Sequence, residues 1–202
     1  MKDTFDPGRR QSRWLPCLVA ALLALGSALA VAQVAIPQDT ALQTAYAQED
    51  KDWGVPPVAA VRKRDYHAPT PTSLPGARVV KTLQLKALLA QGAVTVVDVL
   101  NPRRDGGARK SVPGAVWLPG AGSGDFYAAE KRRLAQALEA ATQGDKQRPL
   151  VFLCLSSECW LSWNAALHAL EAGYTDVLWY RGGTEAWHGA SLDLVEVAAT
   201  AW

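Results

Sequence analysis

The sequence predicts a three-layer α/β domain, a mainly parallel sheet covered by helices on both faces. Three observations carry that expectation. Residues 94–99 (VTVVDV), 150–154 (LVFLC) and 177–180 (VLWY) are short apolar runs, the pattern of strands buried on both sides. Stretches with helical spacing and helix end signals lie between them. Strands alternating with helices are what a parallel sheet requires, because each parallel connection must cross a whole layer.

The elements follow in order. Thr82 is placed to cap a short helix over residues 83–90, with Gly92 as its stop. The strand over 94–99 comes next, then the turn Val112-Pro113-Gly114 and a second short strand at 115–118. Asp125 is placed to cap a helix running to about Ala141, with Leu134 and Leu138 on its inner face and Lys131, Arg132 and Arg133 mostly outward. The strand at 150–154 leads into a helix over 160–172, stopped by Gly173. After the strand at 177–180, Arg181-Gly182-Gly183 makes a turn and Thr184 begins a short helix.

Composition bounds the rest. The chain has 202 residues, 49% hydrophobic and 20% charged, which fits one domain with appendages. Its start reads as a secretory signal over residues 1–32. Lys2, Arg9, Arg10 and Arg13 form a basic region, and residues 18–32 (LVAALLALGSALAVA) form an apolar run ending in small residues. Ala28-Leu29-Ala30 and Ala30-Val31-Ala32 are alternative cleavage patterns, and the run is shorter than the ~20 apolar residues of a spanning helix. Arg9-Arg10 leaves the general and the twin-arginine export routes both open. The expectation is a periplasmic protein, free of the membrane after cleavage.

Removing residues 1–32 takes away four basic and two acidic residues and leaves 17 of each, so no charge excess recommends a nucleic acid as partner. Cleavage also removes Cys17, leaving Cys154 and Cys159 in an oxidising compartment. Residues 33–75 are broken by Pro37, Pro56, Pro57, Pro69, Pro71 and Pro75. They read as an extended arm laid over the domain through Trp53 and Tyr66, with Arg62-Lys63-Arg64-Asp65 as a solvated turn. The domain proper is expected over 76–202.

The candidate site follows from placement. Cys154 ends a buried strand, the loop Leu155-Ser156-Ser157-Glu158 follows, and Cys159-Trp160 opens the next helix. Loop amides converging there, and the positive end of the helix, would stabilise a thiolate. A buried apolar Cys154 and a structural disulfide remain the plainer alternatives. Trp160, Trp163, Trp179 and Trp187 are either core or the rim of a ligand pocket. His168 is too far along its helix to join Cys159. A zinc site built from the two cysteines with His67 or His188 lacks the usual spacing, so no metal is expected.

The stretch VFLCLSSECWLSWNAALHALEAGYTDVLWYRGGTEAW resembles the C-terminal half of a rhodanese-like domain. Val97-Asp98-Val99 and Val112-Pro113-Gly114-Ala115-Val116-Trp117-Leu118-Pro119 resemble that family's other two signatures. The likeness runs from about Gly76 to Leu194. More narrowly, Cys154, Cys159-Trp160 and Ser162-Trp163-Asn164-Ala165-Ala166 resemble the rhodanese-like CXXCW-motif proteins associated with pyrroloquinoline-quinone-dependent alcohol catabolism.

The resemblance implies a sulfur-accepting Cys154 with its persulfide cradled by the amides of Leu155, Ser156, Ser157, Glu158 and Cys159. Trp160 is grouped with that loop, and Asp98 and Arg181 are auxiliary candidates. It implies no cofactor. The partners it suggests are a small sulfur donor or a protein thiol, and a periplasmic quinoprotein dehydrogenase or cytochrome c. Three departures from the family pattern stand out, and the first, loss of the loop Arg, weighs against plain thiosulfate:cyanide transfer. Cys159 stands where the family usually has a loop Arg, Ser111-Val112 where it has His before Pro-Gly, and Leu100 where an Arg follows the Asp-Val pair. A second thiol five residues on favours disulfide chemistry with Cys159 as resolving thiol. The alternative is a non-catalytic accessory module stapled by a Cys154–Cys159 bridge.

Overall fold

The computed structural model describes residues 1–2, 32–105 and 107–202. The export signal read over 1–32, with Cys17, lies almost entirely outside the described residues.

Five parallel strands form the central sheet in the order β1 (Arg78–Val79), β6 (Val177–Trp179), β5 (Leu150–Leu153), β2 (Thr95–Asp98) and β4 (Val116–Trp117). The β-branched and aromatic runs supply the three inner strands, and β5 is buried throughout. Register sets Val97 opposite Phe152 and Phe152 opposite Trp179. Because side chains alternate across a strand, the sheet sorts its apolar residues into two cores. Val97, Phe152, Trp179 and Cys154 pack with α2 (Ala128–Thr142) and α3 (Trp160–Glu171) through Leu134, Leu138, Trp163 and Ala166. Val96, Val151, Leu153, Leu178 and Tyr180 pack with α1 (Thr82–Ala90) and α4 (Gly183–Gly189) through Leu85, Leu88, Ala186 and Trp187. The three-layer expectation holds.

Several local expectations shift. Thr82 is the first residue of α1, not its cap: its hydroxyl is taken by Glu49 and Tyr180, while Gln84 reaches back to the Lys81 amide. Asp125 does not cap α2. That helix begins three residues later, where Glu130 Oε2 accepts from the Tyr127 amide at 3.1 Å. A second, two-stranded antiparallel sheet was not anticipated. It joins β3 (Arg109–Ser111) to β7 (Val195–Val197), both short and without a buried apolar run.

The Pro-rich segment is bound along the domain. Its start is pinned by Asp176, which accepts from the Val34 amide at 2.6 Å and pairs with Arg78, while Arg78 donates to the Val34 carbonyl at 2.6 Å. Further on, Asn164 of α3 holds both backbone groups of Arg62, accepting at 2.8 Å and donating at 2.7 Å. The cluster at 62–65 is therefore not wholly solvated: the Arg62 guanidinium lies 4.9 Å from the centre of the Trp160 ring, while Lys63, Arg64 and Asp65 are exposed. Among the described residues, no helix is long and apolar enough to cross a membrane.

Candidate functional site

Strand β5 ends at Leu153 and delivers Cys154 to the carboxyl edge of the sheet, where open parallel sheets place their sites. Five residues later Cys159 is the N-cap of α3, with extended backbone (φ −124°, ψ 111°). The loop between them folds back on itself: the Cys159 amide donates to the Ser156 carbonyl at 3.1 Å and the Glu158 amide to Ser156 Oγ at 3.3 Å. That return brings the two cysteines together in a disulfide, with Cα atoms 6.2 Å apart. Cys154 is 1% exposed and Cys159 is fully buried.

The loop carbonyls are held from the start of α4. The Thr184 amide donates to Cys154 O at 3.1 Å and the Glu185 amide to Leu155 O at 2.9 Å. Gly183 makes this close approach possible: its φ of +61° suits glycine, and a Cβ there would stand 2.5 Å from the Leu155 carbonyl. The loop amides divide. Those of Glu158, Cys159 and Trp160 are bound, the last to the Tyr66 carbonyl at 2.8 Å. For Leu155, Ser156 and Ser157 no protein acceptor faces the amide among the described residues. Of the five amides expected to cradle a persulfide, Glu158 and Cys159 are bound within the loop and three are left without a protein acceptor.

The two auxiliary candidates part company. Asp98 is in register with Leu153, so the pleat turns it to the face opposite Cys154. There it is fully buried, pairs with Arg109, and accepts from Ser111 Oγ at 2.6 Å and the Leu100 amide at 2.9 Å. Burial raises its pKa, opposed by Arg109, Ser111 and the Leu100 amide. Asp98 ties β3 to the sheet edge and does not reach the sulfurs.

Arg181 does reach the loop, through an intermediary. It is 1% exposed and donates to the carbonyls of Glu49 (2.7 Å), Lys51 (2.9 Å) and Thr70 (3.0 Å), and to Thr70 Oγ1 (3.0 Å). Thr70 Oγ1 in turn donates to the Ser157 carbonyl at 2.6 Å. Burial lowers the Arg181 pKa, with Asp50, Asp52 and Glu49 acting against it. Arg181 is a clamp on the arm, not an open cation awaiting an anionic donor.

The remaining candidates settle by burial. Trp160, Trp163, Trp179 and Trp187 are core residues, 4% exposed at most. Trp163 meets Trp160 and Trp179 at ring-centre distances of 5.2 and 5.3 Å. Glu158 is exposed and takes part through its carbonyl, which accepts from the Ala68 amide at 2.9 Å. His67 lies beside Cys159 by backbone pairing. No group of three or more His, Cys, Asp or Glu among the described residues is placed to hold a metal ion. Tyr66, through which the arm was expected to lie on the domain, does bind the Trp160 amide through its carbonyl; Ala68 and Thr70, which also bind the loop, were missed. The prolines marked their segment as extended, but nothing local says where it lies.

A profile of the rhodanese-like domain matches residues 82–190, a little over half of the chain and all of the strand-loop-helix unit just described. The chain belongs to the rhodanese-like domain family. Solved structures similar to it include a human single-domain sulfurtransferase, 24% identical over 56% of this chain and 95% of that one, with a TM-score of 0.41. A thiosulfate sulfurtransferase from Pseudomonas aeruginosa is 23% identical over 61% of this chain and 21% of its own length, with a TM-score of 0.44. A polysulfide-sulfur transferase homodimer from Wolinella succinogenes is 18% identical over 59% and 79%, with a TM-score of 0.42. No curated protein matches the chain. In this rhodanese-like domain Cys154 stands at the strand end and Cys159 at the head of the following helix.

Proposed function

We propose that this rhodanese-like domain is an exported thiol protein in which Cys154 takes up sulfur or exchanges disulfides and Cys159 resolves the product. The observation that carries the reading is the bonded pair itself, one sulfur at a strand end and the other at a helix N-cap, around a loop with three amides turned to no acceptor. In sulfur transfer, the Cys154 thiolate attacks the outer, sulfane sulfur of a small donor such as thiosulfate and becomes a persulfide as the sulfur–sulfur bond of the donor breaks and sulfite leaves. The Cys159 thiolate then attacks Cys154 Sγ, forming the Cys154–Cys159 bond and expelling hydrosulfide. A dithiol partner reduces the bridge and is itself oxidised. Helix α3 favours the anionic form of a thiol at its N-cap.

Intact masses test this on reduced protein incubated with thiosulfate or a persulfide donor, beside Cys154→Ser and Cys159→Ser. The expected result is one added sulfur that accumulates in Cys159→Ser, is absent in Cys154→Ser, and in the wild type gives way to the bridged form with release of hydrosulfide. A Cys159→Ser variant that takes no sulfur, beside a wild-type bridge that withstands mild reductant, overturns it. That outcome belongs to the second reading, an accessory module stapled by the bridge, which the near-complete burial of both sulfurs favours.

The export signal at 1–32 supports a periplasmic location. The arrangement of Cys154, Cys159-Trp160 and Ser162-Trp163-Asn164-Ala165-Ala166 supports a role accessory to quinoprotein alcohol oxidation, with a dehydrogenase or its cytochrome c as partner. Deleting the gene should then slow growth on alcohols and leave growth on organic acids unchanged; equal growth on both sinks the association.

A further inference from the structure

The segment that carries Cys159 is paired with the chain's own arm, and the mode of pairing points to the substrate. Residues 66–70 run antiparallel to residues 157–160. The Trp160 amide donates to Tyr66 O at 2.8 Å, the Ala68 amide to Glu158 O at 2.9 Å, and the Thr70 amide to Ser157 O at 3.2 Å. His67 pairs with Cys159 at the centre of this short ladder. Side chains reinforce it: Trp160 Nε1 donates to Pro69 O at 3.1 Å and Thr70 Oγ1 to Ser157 O at 2.6 Å. The segment that carries Cys159 thus offers backbone groups that an extended chain can pair with. An extended chain adding to such an edge gains affinity from main-chain hydrogen bonds whatever its side chains.

From this geometry we infer that residues 66–70 stand in for an extended cysteine-bearing polypeptide, which displaces them, pairs with residues 157–160 and presents its thiol to the bridge. The inference rests on the bridge being redox-active. In the first step the peptide thiolate bonds to Cys154 Sγ as the Cys154–Cys159 bond breaks. Cys159 leaves as a thiolate at the head of α3, with no net oxidation. A second thiol of the same polypeptide then attacks the mixed disulfide. The polypeptide leaves oxidised and the cysteine pair reduced. Small thiols, which cannot replace the arm's hydrogen bonds, open the bridge more slowly.

The test compares three thiols on the purified oxidised full chain, with rates expressed per thiolate: 2-mercaptoethanol, a cysteinyl peptide of alternating β-branched residues, and that peptide N-methylated at its pairing amides. Bridge opening is followed by alkylation and intact mass. The expected result is opening by the pairing peptide at least about tenfold faster than by the other two. In Thr70→Val, which loses the hydroxyl linking Arg181 to Ser157, opening by 2-mercaptoethanol should rise about tenfold. Should Thr70→Val fold poorly, the wild-type comparison of the two peptides decides alone. Equal rates for all three thiols overturn the substrate inference and leave the redox reading standing. A bridge that no thiol opens, in either protein, overturns both.

Discussion

Arg181 and Thr70, 111 positions apart, are joined twice: Nε donates to Oγ1 and one Nη donates to the Thr70 carbonyl, both at 3.0 Å. Through the same guanidinium the carbonyls of Glu49 and Lys51 are drawn to the end of β6, so one side chain gathers two stretches of the arm. Replacing it with leucine leaves buried acceptors without donors. Arg181→Leu should lose about 3 kcal/mol in urea unfolding, and Arg181→Lys should recover less than half, because an ammonium cannot fork to several carbonyls. An unchanged unfolding midpoint in Arg181→Leu would show that the arm contributes nothing to global stability.

Gly183 is the second point of convergence. Any side chain there combines a left-handed backbone (φ +61°) with a Cβ 2.5 Å from the Leu155 carbonyl and 2.7 Å from Cys154 O. Gly183→Ala should cost about 3 kcal/mol, as strain and clash add. Thermal unfolding measures the loss, and free-thiol titration of the same variant should show a larger unbridged fraction. A variant as stable and as fully bridged as wild type excludes the close approach.

Glu49 sets one part of the pH dependence. The residue is 4% exposed, and burial raises its pKa above 4.5 against hydrogen bonds from Thr82 and the Tyr46 amide. The folded chain therefore keeps this proton to a higher pH than the unfolded chain. The stabilisation is full below pH 4.5 and is lost as pH rises through the folded-state value. Stability measured by urea from pH 4.5 upward should carry this downward component, and Glu49→Gln should remove it. Asp98, shifted the same way, keeps a remnant in the variant. The same slope in wild type and variant would remove Glu49 from the account.

His168 pulls the other way. Its ring stacks on Phe126 at 4.8 Å, and Nε2 lies 2.8 Å from the Ser123 carbonyl, where it must donate. Burial lowers its pKa below 6.5, so the unfolded chain takes the proton first. Its contribution is present above pH 6.5 and is lost as pH falls through the folded-state value. Urea unfolding should show stability descending as pH falls below 6.5, and the descent should flatten in His168→Asn. Parallel curves for the two proteins would mean that the imidazole titrates alike in both states.

Sequence legibility followed the physics of each element. The inner strands were readable because burial on both faces demands continuous apolar runs, as at 150–154. The two-residue β1 and the charged β3 carry no such demand, and β7 is mostly exposed. They exist because a partner strand offers free backbone groups, which composition does not record. The start of α2 was misplaced because Asp125 has capping chemistry, yet the helix begins where Glu130 can reach back to Tyr127. The position of the sulfurs was readable, since a cysteine closing a buried run must emerge at the sheet edge. The roles of Asp98 and Arg181 were not, because each depends on what lies across the fold.

Local order along the chain was enough to specify the parallel sheet, its helices and a cysteine pair poised between a strand and a helix. Those features depend on side-chain period, end signals and a loop of a few residues, all within reach of neighbouring positions. The pairing of residues 66–70 with the segment that carries Cys159, the clamp at Arg181 and the rotation of Asp98 away from the sulfurs were decided in three dimensions. Thr70 meets Ser157 across 87 positions and Arg181 across 111. The partners at that range are mostly backbone carbonyls and amides, which every residue carries alike, so only the folded chain selects among them.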